Sequence, residues 1–353
     1  MTEKTRQQIE AMKKQTIGVE VEMYNIDRET ASKVASEVLT GVKSNAYYVG
    51  EGYLKTWGVK DSQGRLWKFS RDASIEADCD SEKCELVTPI LTYSDIETLQ
   101  EIVRALRHEG AKSDSDHKCG VHVHIGAKGH DAKTLRNLVN LMASHEDLII
   151  KAINVDKRRL GRWCKVVNSD FLRNLNKKKP KTMSELADIW YEGNGGSYNR
   201  STHYNDSRYH MLNLHATFTK GTVEFRMFQF AKPDGDRRNG LHAGQLKAFI
   251  QFCLAISERA KSVRSASAEK VQMENPKFAM RTWLIAMGLV GDEFETVRNV
   301  FTSRLEGNNA FRFGRRPTAN VVRGSADDFV SAEAEDMMAN MDFSSIPVDE
   351  WSA

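Results

Sequence analysis

Thr16-Ile-Gly-Val-Glu-Val-Glu-Met23 alternates strictly between apolar and polar or small residues. Ile17, Val19 and Val21 fall on one side, Glu20 and Glu22 on the other, which is the period of a half-buried strand. Outward from it, residues 47–59 and 66–70 read as further strands, separated by the turn Asp61-Ser-Gln-Gly64. Residues 72–75 and 84–88 flank an acidic turn and read as a hairpin that Pro89 ends. Ser94 followed by Glu97 forms a capping-box pattern, with Ile96, Leu99, Ile102, Val103 and Leu106 on one helical face and Gly110 as the stop. Residues 121–125 predict a strand, and 132–153 a long amphipathic helix with Leu135, Leu138, Val139, Met142 and Ile149 inward. Residues 211–218 and 222–228 pair as a hairpin across Lys220-Gly221, and helices follow over 238–260, 278–288 and 292–305. Strands early, with helices between and after them, give an α+β fold: an antiparallel sheet with helices packed on one face.

The chain has 353 residues, with 51 basic and 48 acidic side chains for a net charge of +3, so overall charge makes no case for nucleic acid or a membrane. The balance is uneven. Eight of the acids fall in 324–353, which holds no Lys or Arg, so residues 1–323 carry 51 basic against 40 acidic groups, a net +11. Such a body favours an anionic ligand such as a nucleotide, and the tail reads as a solvated arm. No apolar run reaches the ~20 residues of a membrane span. The start, MTEKTRQQIEAMKKQ, lacks the apolar core of a secretory signal. Five cysteines are too few and too odd in number for a disulfide framework, which points to a soluble cytoplasmic protein. The expected organisation is a polar leader over 1–15, a catalytic domain over 16–305, and a C-terminal extension with the acidic tail over 306–353. Within the domain, 155–208 is basic and Asn/Gly-rich and reads as an irregular insertion or flap, with Lys177-Lys-Lys-Pro-Lys181 as a solvated turn.

Three short strands carry ionisable side chains at i, i+2: Glu20 and Glu22, His122 and His124, Glu224 and Arg226. On a strand such pairs point the same way, about 6.6 Å apart. One such pair is ordinary for a half-exposed strand; three of useful chemistry, side by side in one sheet, would build a surface of carboxylates, imidazoles and a guanidinium. Glu20, Glu22, Glu224, Asp72 and Glu85 cannot converge as bare anions, because like charges in a partly buried site repel. Hard oxygen ligands in this number suit Mg²⁺ or Mn²⁺. Arg208 and Arg226 would then meet phosphate oxygens as bidentate donors. A second metal reading takes Cys79-x₄-Cys84 with Cys119-x₂-His122-x-His124 as a structural zinc site in a non-catalytic protein, although histidines alternating with valines are strand sequence rather than knuckle sequence. P-loop, Rossmann, nucleophile-elbow and His-Glu-x-x-His patterns are absent from the sequence.

The ordered set Gly18-Val-Glu-Val-Glu22, Asp72-x-Ser74, Cys84-Glu-Leu-Val-Thr-Pro89, Cys119-Gly-Val-His-Val-His124, Arg208-Tyr-His-Met-Leu-Asn-Leu214 and Thr222-Val-Glu-Phe-Arg226 resembles the amidoligase family. That family belongs to the carboxylate–amine ligase group with a glutamine synthetase-like fold, and its members are common in phages and bacteria. The resemblance runs from about Thr16 to Leu305. It implies that Glu20 and Glu22 each serve one of two divalent metals, that Asp72 and Glu85 complete one of them, and that His122 and Glu224 are further ligands. It also implies that His124 lies toward nucleotide or substrate, that Arg226 binds the transferred phosphoryl group, and that Arg208 contacts phosphate. Asp72 departs from the glutamate of glutamine synthetase. The implied reaction is ATP-dependent amide formation between a carboxylate and an amine, small molecules or peptides, through an acyl phosphate. A metal-dependent phosphotransferase on the same fold is the alternative, separable by whether ADP release needs an amine.

Overall fold

Strand β1 (Ile17–Met23) lies inside an eight-stranded sheet, between β5 (Cys84–Val87) and β6 (Val121–Gly126). The remaining strands are β2 (Tyr47–Gly50), β3 (Thr56–Lys60), β4 (Leu66–Arg71), β7 (Leu212–Asn213) and β8 (Thr222–Phe228). Their order is β2-β3-β4-β5-β1-β6-β8-β7, and the pairings are antiparallel. This computed structural model describes residues 2–202, 204–230, 240–271 and 273–310.

Register carries the two-faced pattern across the sheet. Val21 stands opposite Leu86, Val19 opposite Val123, and Val123 opposite Phe225, all at most 1% exposed. Helices α3 (Ile96–His108), α4 (Ala132–Ile153) and α9 (Ala243–Ser262) join this apolar face in one hydrophobic core through residues such as Leu99, Leu138 and Phe249. Each buried Val or Phe contributes about 1.5–3 kcal/mol, so the register that buries this row is strongly preferred. A one-residue slip of β1 would bury Glu20 and Glu22 instead. The polar residues therefore have no alternative to the other face. The structure has the α+β architecture expected from the sequence.

Several local expectations fail for identifiable reasons. The stretch 47–59 is two strands: Glu51 and Lys55 both adopt positive φ, around a short 3₁₀ turn at Gly52–Leu54, and fold the chain back on itself. The hairpin partner of β5 is β4, with Ser70 opposite Glu85, while 72–75 is loop. The capping box at the start of α3 uses Thr92 and Asp95 rather than Ser94 and Glu97. Residues 215–220 form α8 (His215–Lys220), not strand, and Gly221 at φ 70° ends it and turns the chain into β8.

The leader is helical. Helix α1 (Glu3–Lys13) buries Ile9 and Met12, and the Gln15 amide that follows it donates to the Leu254 carbonyl of α9. Helix α2 (Arg28–Thr40), capped by Asp27, has no counterpart in the sequence reading. The supposed flap contains α5 (Lys157–Arg162), α6 (Ser169–Lys178) and α7 (Met183–Asn194), whose Phe171, Leu175, Leu186 and Trp190 join the core. The lysine run begins as the last turn of α6, with Lys177 and Lys178 exposed on the helix, and turns at Lys179, whose φ is positive, while Pro180 is buried. Helices α10 (Pro276–Ala286) and α11 (Glu295–Thr302) complete the described chain; the acidic tail lies outside the described residues. No helix among them is long and apolar enough to cross a membrane.

Candidate active site

The alternation that buries Val19 and Val21 sends Glu20 and Glu22 to the opposite face, where neighbouring strands supply partners. Glu20 Oε2 lies 3.0 Å from His122 Nδ1, and its Oε1 lies 3.3 Å from His124 Nε2. Glu22 Oε2 accepts the Gly120 N–H at 2.6 Å, and its Oε1 is 3.8 Å from His122 Nε2. On β8, Glu224 Oε2 accepts the Asn213 amide at 2.6 Å while Oε1 pairs with Arg226. Glu224 Oε1 is also 3.9 Å from both His122 Nδ1 and His124 Nε2. His124 Nδ1 meets the Thr222 hydroxyl at 3.1 Å. Between Val121 and Val123 the β6–β8 ladder shifts register, so Arg226 and Met227 together stand opposite His122. Such a bulge re-aims a side chain: Arg226 keeps the phase of Glu224, and Phe228 two residues on turns to the core opposite Val121.

Three groups of ligand atoms form, each within 4.8 Å: Glu20, Glu85 and His122; Glu20, His124 and Glu224; Glu22, Asp72 and Glu85. They share Glu20 and Glu85, so they define adjoining positions along one face. The two halves of this face differ electrically. Burial raises the Glu20 carboxyl, but the charge of His124, the hydrogen bond of His122 and the close approach of both imidazoles outweigh it and hold the group well below the usual range. Burial likewise opposes the Glu224 carboxylate, yet Arg226 and the histidines bring it down to about 2. For His124, desolvation is outweighed by Glu224 and Glu20, and the imidazole moves up. On the other half burial wins. Glu22 is raised despite His122, and Glu85 is raised well above its ordinary value by burial together with Glu20, Asp72 and Glu22.

The residues fit a divalent cation. Crowded, half-buried carboxylates lacking enough positive charge are what a hard cation compensates. In addition, His124 Nε2 is fully buried yet makes no well-formed hydrogen bond. Among the described residues no such group includes a cysteine: Cys84 and Cys119 are buried and Cys79 is exposed, which removes the basis of the zinc reading.

The family model described as “Putative amidoligase enzyme” matches residues 13–257. The chain belongs to the amidoligase family. Among solved structures it is similar to a bifunctional glutathione synthetase from Pasteurella multocida, at 10% sequence identity and a TM-score of 0.41, over 86% of this chain and 49% of that one. The chain thus spans about half the length of that enzyme. No curated protein matches it.

In this amidoligase the six residues expected to hold metal all occur in the three groups, and His124 joins them rather than standing apart. Arg208 is outside them. Its guanidinium lies over the Tyr204 ring, 5.4 Å from the centroid, and it lines a depression with Asn213, His215, Thr219, Lys220 and Glu224. The sequence reading missed Asn213 and Thr222, which orient Glu224 and His124, and the Gly120 amide. All three sit inside quoted motifs, which was the available signal: Thr222 two residues before Glu224 on β8, Gly120 immediately before β6 and two residues before His122, and Asn213 within 208–214 on β7.

Proposed function

We propose that this amidoligase is an ATP-dependent carboxylate–amine ligase with a glutamine synthetase-like site. One observation carries the reading: seven ionisable side chains from β1, β5, β6, β8 and the 72–75 loop converge as adjoining cation positions beside a buried arginine. Mg²⁺ or Mn²⁺, held by Glu20, Glu22, Asp72, Glu85, His122 and Glu224, would neutralise phosphate oxygens of ATP as charge develops during transfer.

The chain's own residues perform the remaining work. Arg226 donates its guanidinium fork to the phosphoryl group in flight, and its bond to Glu224 aims that fork. Asn213 fixes the Glu224 carboxylate, and Thr222 fixes the His124 ring. Arg208 and Lys220, at the depression beside Glu224, receive further anionic groups of ATP or substrate. In the first half-reaction a substrate carboxylate oxygen attacks the terminal phosphorus, ADP leaves, and an acyl phosphate forms. In the second an amine attacks the acyl carbon, the C–O bond to phosphate breaks, and the amine proton leaves with the phosphate. No protein nucleophile is needed.

The test is ADP release with Mg²⁺ or Mn²⁺ against pools of amino acids, polyamines and peptides. Release that requires both a carboxylate and an amine supports the ligase. Phosphoryl transfer that proceeds without any amine supports the phosphotransferase instead.

A further inference from the structure

Arg159, on α5, is only 4% exposed, and its guanidinium enters no ion pair among the described residues. Instead its Nη2 donates to two carbonyls of β8, Arg226 O at 3.0 Å and Phe228 O at 3.3 Å, while its Nε has no partner. Those carbonyls bracket the register shift that Arg226 and Met227 make on β8. The same guanidinium lies against Gly120: a Cβ built there would stand 2.3–2.6 Å from its terminal atoms. Gly120 is the residue whose N–H holds the Glu22 carboxylate, and its carbonyl accepts the Glu22 N–H at 3.1 Å. The surroundings tie the same two elements: Asp156, the cap of α5, takes the Ser115 hydroxyl at 3.1 Å, and its own N–H donates to Gln229 at 3.0 Å.

A buried guanidinium is costly unless its donors are used, so this arginine is not filler. We infer that Arg159 is a positioning residue that locks the two halves of the site together, fixing the β8 bulge behind Arg226 and the Gly120 backbone behind Glu22. This rests on the ligase reading for its consequence, though not for its geometry. It also gives Gly120 a reason. Its φ is not positive, so alanine is compatible with the backbone, and what excludes a side chain is the guanidinium.

The experiment is Mn²⁺ titration followed by electron paramagnetic resonance, with thermal melts, on the full chain and on Arg159→Lys, Gly120→Ala, Arg159→Ala and the double Gly120→Ala/Arg159→Ala. Arg159→Lys and Gly120→Ala should each weaken Mn²⁺ binding about tenfold, with melting within a few degrees of wild type. The double variant should bind no more weakly than Arg159→Ala, because the new methyl enters the space the guanidinium vacates. Wild-type affinity in both single variants, or a double variant that loses the product of the two effects, overturns the proposal. Hydrogen exchange judges the tie separately. The Gly120 and Arg226 amides should exchange faster in Arg159→Lys while that of Val123 does not, and unchanged exchange overturns it. If the wild type binds no Mn²⁺, the ligase reading falls, and exchange alone decides on Arg159.

Discussion

Replacing Glu85 by glutamine should make the metal-free protein more stable and blunt its response to metal. Ligand atoms of Glu22, Asp72 and Glu85 lie within 4.8 Å of one another. Two unit charges at that separation repel by about 3 kcal/mol at an effective dielectric constant near 20. Part of this is avoided by partial protonation, since Glu85 is raised well above 4.5 by burial and by Glu20, Asp72 and Glu22. A net gain of about 1–2 kcal/mol is then expected, and each kcal/mol moves the melting point of a domain this size by roughly 2–4 °C. The sign with pH follows from linkage. A carboxyl whose folded pKa exceeds its unfolded one contributes stability below the unfolded value, and that stability is lost as pH rises through the folded value. Relative to Glu85→Gln, the metal-free wild type should therefore lose stability from about pH 4.5 upward. Differential scanning calorimetry in EDTA, then with excess Mn²⁺, measures both effects. Glu85→Gln should melt higher than wild type in EDTA and gain less from Mn²⁺. A variant that melts lower in EDTA and gains as much from Mn²⁺ would refute the reasoning.

Arg226→Lys should reduce amine-dependent ADP release by at least a hundredfold, because a point charge cannot replace the fork on a transferring phosphoryl group; a variant above a tenth of wild-type turnover would count against the role. Asp95 accepts two bonds from Arg65 at 2.9 Å, which together with its other partners brings it to about 2. Its depressed value contributes stability above the unfolded pKa, lost as pH falls through the folded one. Asp95→Asn should therefore cost about 1–2 kcal/mol near neutral pH and converge with wild type in melts near pH 2. Phe249 stacks on Phe228 with ring centroids 4.4 Å apart behind the sheet, and Phe249→Ala should lower stability by about 3–5 kcal/mol in urea unfolding.

The period-2 strands around Val19, Val123 and Phe225 were legible because a face that must be buried fixes its own register. The polar residues beside them inherited their positions, so Glu20, Glu22, His122, His124, Glu224 and Arg226 could be placed together. Other features were not local properties. Helix α2 opens on Arg28, whose guanidinium satisfies the carbonyls of Lys55, Asp80, Ser81 and Lys83, and these partners are distant in the chain. Within 47–59 the sign of a fold-back was Gly50-Glu-Gly52, whose glycines take φ 97° and 59°, but Glu51 and Lys55 take positive φ beside them without being glycine, and the apolar residues on either side masked the break. Residues 155–208 looked irregular because their helices are short and polar outside, and their packing on α4 depends on Phe171 and Leu175 meeting a surface far away in sequence. Arg159 was hidden for the same reason: its partners lie on β8 and at Gly120.

The central claim is that this sheet face joins a carboxylate to an amine at the expense of ATP through an acyl phosphate. Its most direct test is oxygen transfer, with ATP, Mn²⁺ and a productive substrate pair whose carboxylate carries a heavy-oxygen label. The account predicts that each amide formed releases one phosphate bearing one labelled oxygen, with none when the amine or the protein is omitted. Phosphate released without label while ADP and amide accumulate would contradict it.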